Sequence, residues 1–130
     1  MVLIYVDSSV ALAHLFREPR APAPSFWLGP KVASRLLKYE IWNRLHAHHR
    51  ADSHGRIARD LLGGIELLDL GSGTLSRALE AFPVPVRTLD GLHLATIAFL
   101  RGCGEDVELA SYDRRLIAGA ETLGIPIAAL

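Results

Sequence analysis

The chain has 130 residues, half of them apolar, with 14 basic and 14 acidic side chains and no formal net charge at neutral pH. That length suits one domain with its own core, and that apolar fraction excludes a disordered chain. A lone cysteine, Cys103, excludes an internal disulfide framework, and the balanced charge gives no sign of a broad nucleic-acid-binding surface.

The run VLIYV ends at Asp7 and reads as a buried strand, too short to span a membrane. No leader-like segment is visible, so a cytoplasmic protein with no membrane partner is expected. SSVALAHLFRE reads as a helix, with Asp7 or Ser8 as its cap. The prolines of EPRAPAPSFWLGP break regular structure, leaving SFWL for a helical turn. KVAS is strand-like. From Ala33 to about Arg50 there is no Gly or Pro and the pattern is helical; ADSHGRIARDLLGG adds a helix closed by glycines.

IELLDL is strand-like, and SGTLSRALEAF is a helix that Ser72 or Thr74 can cap. RTLDGLHLATIAFLRGCG predicts a helix starting near Asp90, and its nearly uniform apolarity makes it central and buried. VELAS is a strand, YDRRLIAGAETLG a helix, and IPIAAL a last strand or tail. Strands alternate with helices throughout. The expected class is α/β, a mostly parallel sheet covered by helices on both faces, with residues 1–130 as one domain.

Four acids occupy comparable places. Asp7 follows the first strand and Asp113 follows VELAS, at the carboxyl edge of the sheet, where open parallel sheets bind ligands. Each also precedes a helix, so each has a plain reading as a cap. Asp90 stands at the mouth of the buried helix, with His93 three residues on along the same face. Glu40 falls inside an apolar arc of Ala33, Leu36, Leu37, Ile41 and Leu45, as does Arg44 at i+4. A buried carboxylate needs a partner, either Arg44 or a cation. Acids gathered together repel, and a divalent cation removes the conflict. Carboxylates and water suit magnesium or manganese, and such an ion activates water against a phosphodiester.

IYVDSS, YEIWNRL, RTLDGLHLATIAFL and ELASYDRRL together resemble the PIN-domain nucleases, and most closely the VapC-type toxins of bacterial toxin–antitoxin pairs. The resemblance spans the chain in the family's order. It implies a PIN-like three-layer α/β/α fold and a metal-dependent endoribonuclease. The implied acids are Asp7, Glu40, Asp90 and Asp113, binding Mg2+ or Mn2+. Ser8 is implied as the residue supporting the first acid, and His93 is counted with it. A homodimer, an RNA substrate and an antitoxin whose tail enters the acidic groove are implied as well.

Among the cations near the acid motifs, Arg44, Arg114 and Arg115 are the chosen RNA-binding candidates; Arg35, Lys38, Arg50 and Arg87 also lie near them. Trp42 reads as a core or dimer-contact residue rather than a base-stacking one. His46, His48 and His49 lack a metal-binding pattern and read as structural or surface residues. A phosphoaspartyl hydrolase would want an Asp where Ser9 stands, and a receiver-like module would want a late lysine, yet both lysines precede residue 40. The remaining alternative is a non-catalytic, dimerising module whose acidic groove binds a basic partner.

Overall fold

Val2–Val6 forms strand β1, and its unbroken apolar run follows from burial on both faces: Tyr5 and Val6 are wholly inaccessible. The computed structural model describes residues 1–130. It places β2 at Lys31–Ser34, β3 at Glu66–Leu68 and β4 at Asp106–Ala110, in a parallel sheet of order β3-β2-β1-β4. β1 is central, with Tyr5 level with Val32 on one side and Leu109 on the other.

Parallel neighbours need long crossovers, and helices supply them. α1 (Ser8–Leu15) and a proline-rich loop holding a 3-10 turn at Pro24–Trp27 join β1 to β2. α2 (Leu36–Ala47) and α3 (Ala51–Gly63) join β2 to β3. α4 (Ser72–Leu79) and α5 (Thr88–Gly102) carry the chain back across the sheet to β4, and α6 (Arg114–Thr122) follows. α1, α2 and α3 pack on one another, and α5 packs against both α4 and α6, which gives the expected three-layer α/β/α arrangement. α5 buries Gly91, His93 to Ile97 and Leu100, as its apolar sequence requires.

Several local expectations change. Gly71, not Ser72 or Thr74, stands at the N-cap of α4, and Thr74 is buried. α4 stops before Ala81 and Phe82: Glu80 is already extended, and Pro83 keeps Phe82 out of helical geometry. α5 starts two residues before Asp90, which therefore sits inside its first turn and caps nothing. IPIAAL contributes one parallel bridge, Ile127 to Leu109. Trp42 packs α2 on α3: a Cβ built at Gly55 would lie 3.0 Å from its ring, so the close approach needs glycine there.

The strand order reverses direction between β1 and β4. A crevice opens at such a switch point, outside the carboxyl ends of the two strands. Asp7 leaves β1 and Ser111 to Asp113 leave β4 at this point, so the topology itself brings together residues more than a hundred positions apart.

Candidate active site

Asp7 is the N-cap of α1 and is nearly buried at 5% exposure. The Ser9 hydroxyl donates to its Oδ2 at 2.6 Å and the Ser111 hydroxyl donates to the same atom at 2.8 Å. The backbone N–H of Tyr112 donates to Ser9 Oγ, and that of Asp113 to Ser111 Oγ, both at 2.9 Å. Two hydroxyls thus relay backbone dipoles of the β4–α6 turn onto one carboxylate oxygen. The Ser9 backbone N–H also reaches Oδ2, so no protein donor occupies Oδ1. Ser8, expected to support Asp7, instead points its hydroxyl at Glu40 Oε2, 3.4 Å away. In the first turn of a helix a side chain projects about 100° from its neighbour, so Ser9 and not Ser8 faces back to the cap.

Glu40 belongs to the buried side of α2, as the arc of Leu37, Ile41 and Leu45 predicts, although Ala33 of that arc lies in β2, and its partner is not Arg44. Arg44 is exposed, and Glu40 Oε1 accepts from His93 Nε2 at 2.6 Å. His93 is fully buried, and its Nδ1 lies 2.7 Å from the Tyr5 hydroxyl. The Ser34 backbone N–H donates to that hydroxyl oxygen at 3.2 Å. The phenol proton is therefore free to go to Nδ1 of a neutral ring, and in the neutral or the protonated ring Nε2–H donates to Glu40. Burial opposes a charge on His93, but the Glu40 hydrogen bond and the charges of Glu40, Asp7 and Asp90 together hold its pKa above the ordinary value. Burial pushes the Tyr5 phenol far up, so it stays a donor.

Asp113 caps α6, its Oδ1 accepting from the backbone N–H of Arg115 and Leu116. Asp7, Glu40 and Asp113 line one cleft of about 820 Å³, together with Ser8, Ser9 and Arg44. Asp90 opens onto a neighbouring hollow of about 440 Å³, with Arg87 and Arg115. It is close enough to sense the cluster: burial first, then the charges of Asp113 and Asp7, raise its pKa. None of the four acids is paired with an arginine or lysine.

No three His, Cys, Asp or Glu side chains gather tightly enough to hold an ion by direct bonds alone. The donor set fits a magnesium-type ion nonetheless: hard carboxylate oxygens, one with a free Oδ1, and room for the waters such an ion retains. Zinc would want thiolate or imidazole, and the imidazole bonded to Glu40, His93, turns both nitrogens to protein partners.

The PIN domain family model matches residues 4–121. The chain belongs to the PIN-domain family. Ribonuclease VapC46 of Mycobacterium tuberculosis is 34% identical over 99% of this chain and 98% of its own length. Ribonuclease VapC47 of the same species is 29% identical, covering 94% of this chain and 93% of its own. Among solved structures, a toxin–antitoxin complex from Klebsiella pneumoniae superposes with a TM-score of 0.68 at 17% identity, covering 92% of this chain and 93% of that one. PAE2754 from Pyrobaculum aerophilum gives 0.58 at 19% identity, covering 92% and 87%. These two likenesses concern the fold.

In this PIN domain the expected cations part company. Arg44 and Arg50 line the acid cleft, Arg115 lines the hollow beside Asp90, and Arg114 is exposed and lines neither. Arg35 is tied to Asp69. Sequence reasoning missed Ser9, Ser111 and Tyr5. The signal for Ser9 was present in the DSS run, but nothing in VELAS marked Ser111, and a tyrosine in an apolar strand reads as bulk.

Proposed function

We propose that this chain is a divalent-metal-dependent endoribonuclease that acts as the toxin of a VapC-type toxin–antitoxin pair, with residues 1–130 forming one catalytic unit. The observation that carries the reading is the convergence of Asp7, Glu40 and Asp113 on one cleft at the β1/β4 switch point, with Asp90 within reach of their charge and no arginine or lysine ion-paired with any of the four. The names of the two mycobacterial relatives and the toxin–antitoxin title of the structural neighbour support it.

Asp7, Asp90 and Asp113, with Glu40, are the proposed metal-holding acids, for Mg2+ or Mn2+. A bound cation there would lower the pKa of water and stabilise charge on a scissile phosphate. The chain's own residues do the rest. Ser9 and Ser111 fix Asp7 through Oδ2 and leave Oδ1 without a protein donor. Tyr5 and His93 hold Glu40 at the cleft wall, where its second oxygen, Oε2, is left to Ser8 and to incoming groups. Arg44 and Arg115 are the proposed phosphate contacts nearest the acids, with Arg114 more peripheral.

A cytoplasmic, homodimeric protein neutralised by a cognate antitoxin completes the proposal; no helix is long and apolar enough to cross a membrane. The test is incubation of purified, antitoxin-free protein with a mixed RNA pool in magnesium, manganese or EDTA, beside Asp7→Asn and Asp90→Asn. Defined fragments that require metal and both acids are expected. A folded protein that cuts nothing with either metal would overturn the nuclease and leave the acids as a binding groove.

A further inference from the structure

The cleft is much larger than its acidic end requires, and its other end is aromatic. Phe16 follows α1. His48 stands at the C-cap of α2, its ring centroid 5.8 Å from that of Phe16 at 66°. His54, in the first turn of α3, lies 5.4 Å away from Phe16 at 58°. The tight α2–α3 turn produces this: His49 takes a positive φ of 54°, which ends α2 and starts α3 almost at once, so that both imidazoles and Arg50 face the same cleft. Phe16 is half-buried and packs against the core, which anchors the group, while His48 and Arg50 are exposed.

We infer that Phe16, His48 and His54 form a base-stacking subsite for the RNA nucleotide next to the one cut, with Arg50 as its phosphate contact. The inference rests on the nuclease reading and adds a residue set to it. Its grounds are chemical. Single-stranded RNA is held by aromatic or histidine faces for its bases and by cations for its backbone. Here three rings and Arg50 share a cleft with Asp7, Glu40 and Asp113. A cleft of about 820 Å³ has room for a phosphate with its nucleoside. The nearby Glu18 is paired with Arg20, 3.4 Å away, which offsets its repulsion of a phosphate. His54 Nδ1 bonds Ser53 Oγ at 2.7 Å, which steadies the ring without filling the cleft.

The test measures fluorescence anisotropy of a labelled, single-stranded adenine oligomer and of a fully abasic ribose-phosphate oligomer of equal length. The protein carries Asp7→Asn to prevent cutting, with or without His48→Ala and His54→Ala together. The buffer is held at about pH 8, where an ordinary imidazole is neutral. Adenine-oligomer affinity is expected to fall by roughly 5- to 150-fold, the range for loss of one base stack, with abasic-oligomer affinity unchanged. Restoring a ring with His54→Tyr in the paired variant is expected to recover most of the loss. Equal loss on both oligomers, no loss on either, or no binding of adenine oligomer by the parent would overturn the subsite. The cutting assay separates this from the nuclease itself. A protein that cuts RNA but shows no adenine-specific loss keeps the nuclease and loses the subsite; one that cuts nothing yet shows the loss keeps only the subsite.

Discussion

Replacing Tyr5 with phenylalanine removes one oxygen and leaves the ring, so little packing is lost. Two buried groups lose their partner: His93 Nδ1 at 2.7 Å and the Ser34 backbone N–H at 3.2 Å, both residues essentially inaccessible to water. Each orphaned group costs about 1–3 kcal/mol, so Tyr5→Phe should lower unfolding stability by about 2–6 kcal/mol. For a 130-residue domain, with unfolding entropy of about 2.1 cal/mol/K per residue, that is a fall in Tm of about 7–22 °C. Thermal and urea unfolding followed by circular dichroism measures it. A double-mutant cycle with His93→Leu, which also deletes the orphaned nitrogen, should show strong coupling. A Tm within about 3 °C of wild type, or additive effects in the cycle, would refute the claim that the phenol holds His93. The same substitution frees the imidazole that fixes Glu40, so RNA cutting should fall further than the loss of folded protein explains.

Asp90→Asn should abolish cutting yet raise stability in metal-free buffer. Burial and then the charges of Asp113 and Asp7 lift the Asp90 pKa, so its ionisation opposes folding. That penalty is absent below the unfolded value, about pH 3.9, and develops as pH rises through the folded value. Urea midpoints in EDTA should therefore favour the variant increasingly across that window; a variant less stable than wild type at neutral pH would count against mutual repulsion. Ser111→Ala should cost about 1–2 kcal/mol, since it strips one donor from buried Asp7 and the acceptor from the Asp113 N–H, and it should lower kcat more than it raises KM. Unchanged kcat with intact folding would remove the serine relay from the mechanism.

The sheet was legible because each strand carries its own mark. VLIYV is a short apolar run that ends at a polar group, KVAS is a shorter strand-like stretch, and the α/β alternation leaves few other topologies. The acids were legible for a related reason: Asp7 and Asp113 sit where strand turns to helix, and Glu40 breaks an apolar arc. Partners were harder, because they are set by tertiary contact. Sequence spacing offers Arg44 to Glu40 at i+4, but the carboxylate turns inward to His93, 53 residues away, while Arg44 faces out. Ser9 and Ser111 meet across 102 residues, and no local pattern marks such a pair. His48 looked like one of a surface histidine run; only the turn at His49 puts it beside Phe16.

The choice of partners explains how this fold keeps four negative charges together. A buried carboxylate is ordinarily matched with an arginine or lysine, and twelve arginines were available. The fold uses hydroxyls, backbone N–H groups and one imidazole instead. Asp7 takes two serine hydroxyls and Asp113 two backbone N–H groups at the start of α6, while Glu40 takes an imidazole whose other nitrogen is held by a phenol. The hydroxyl and backbone donors orient an oxygen and lower its energy without cancelling its charge, whereas an arginine would occupy the very lone pairs a cation needs. Asp90 has no such donor, and burial first, then the residual repulsion of Asp113 and Asp7, raises its pKa. Stability that an ion pair would have contributed is forgone at the β1/β4 crevice, and the charge is left for something brought in from outside.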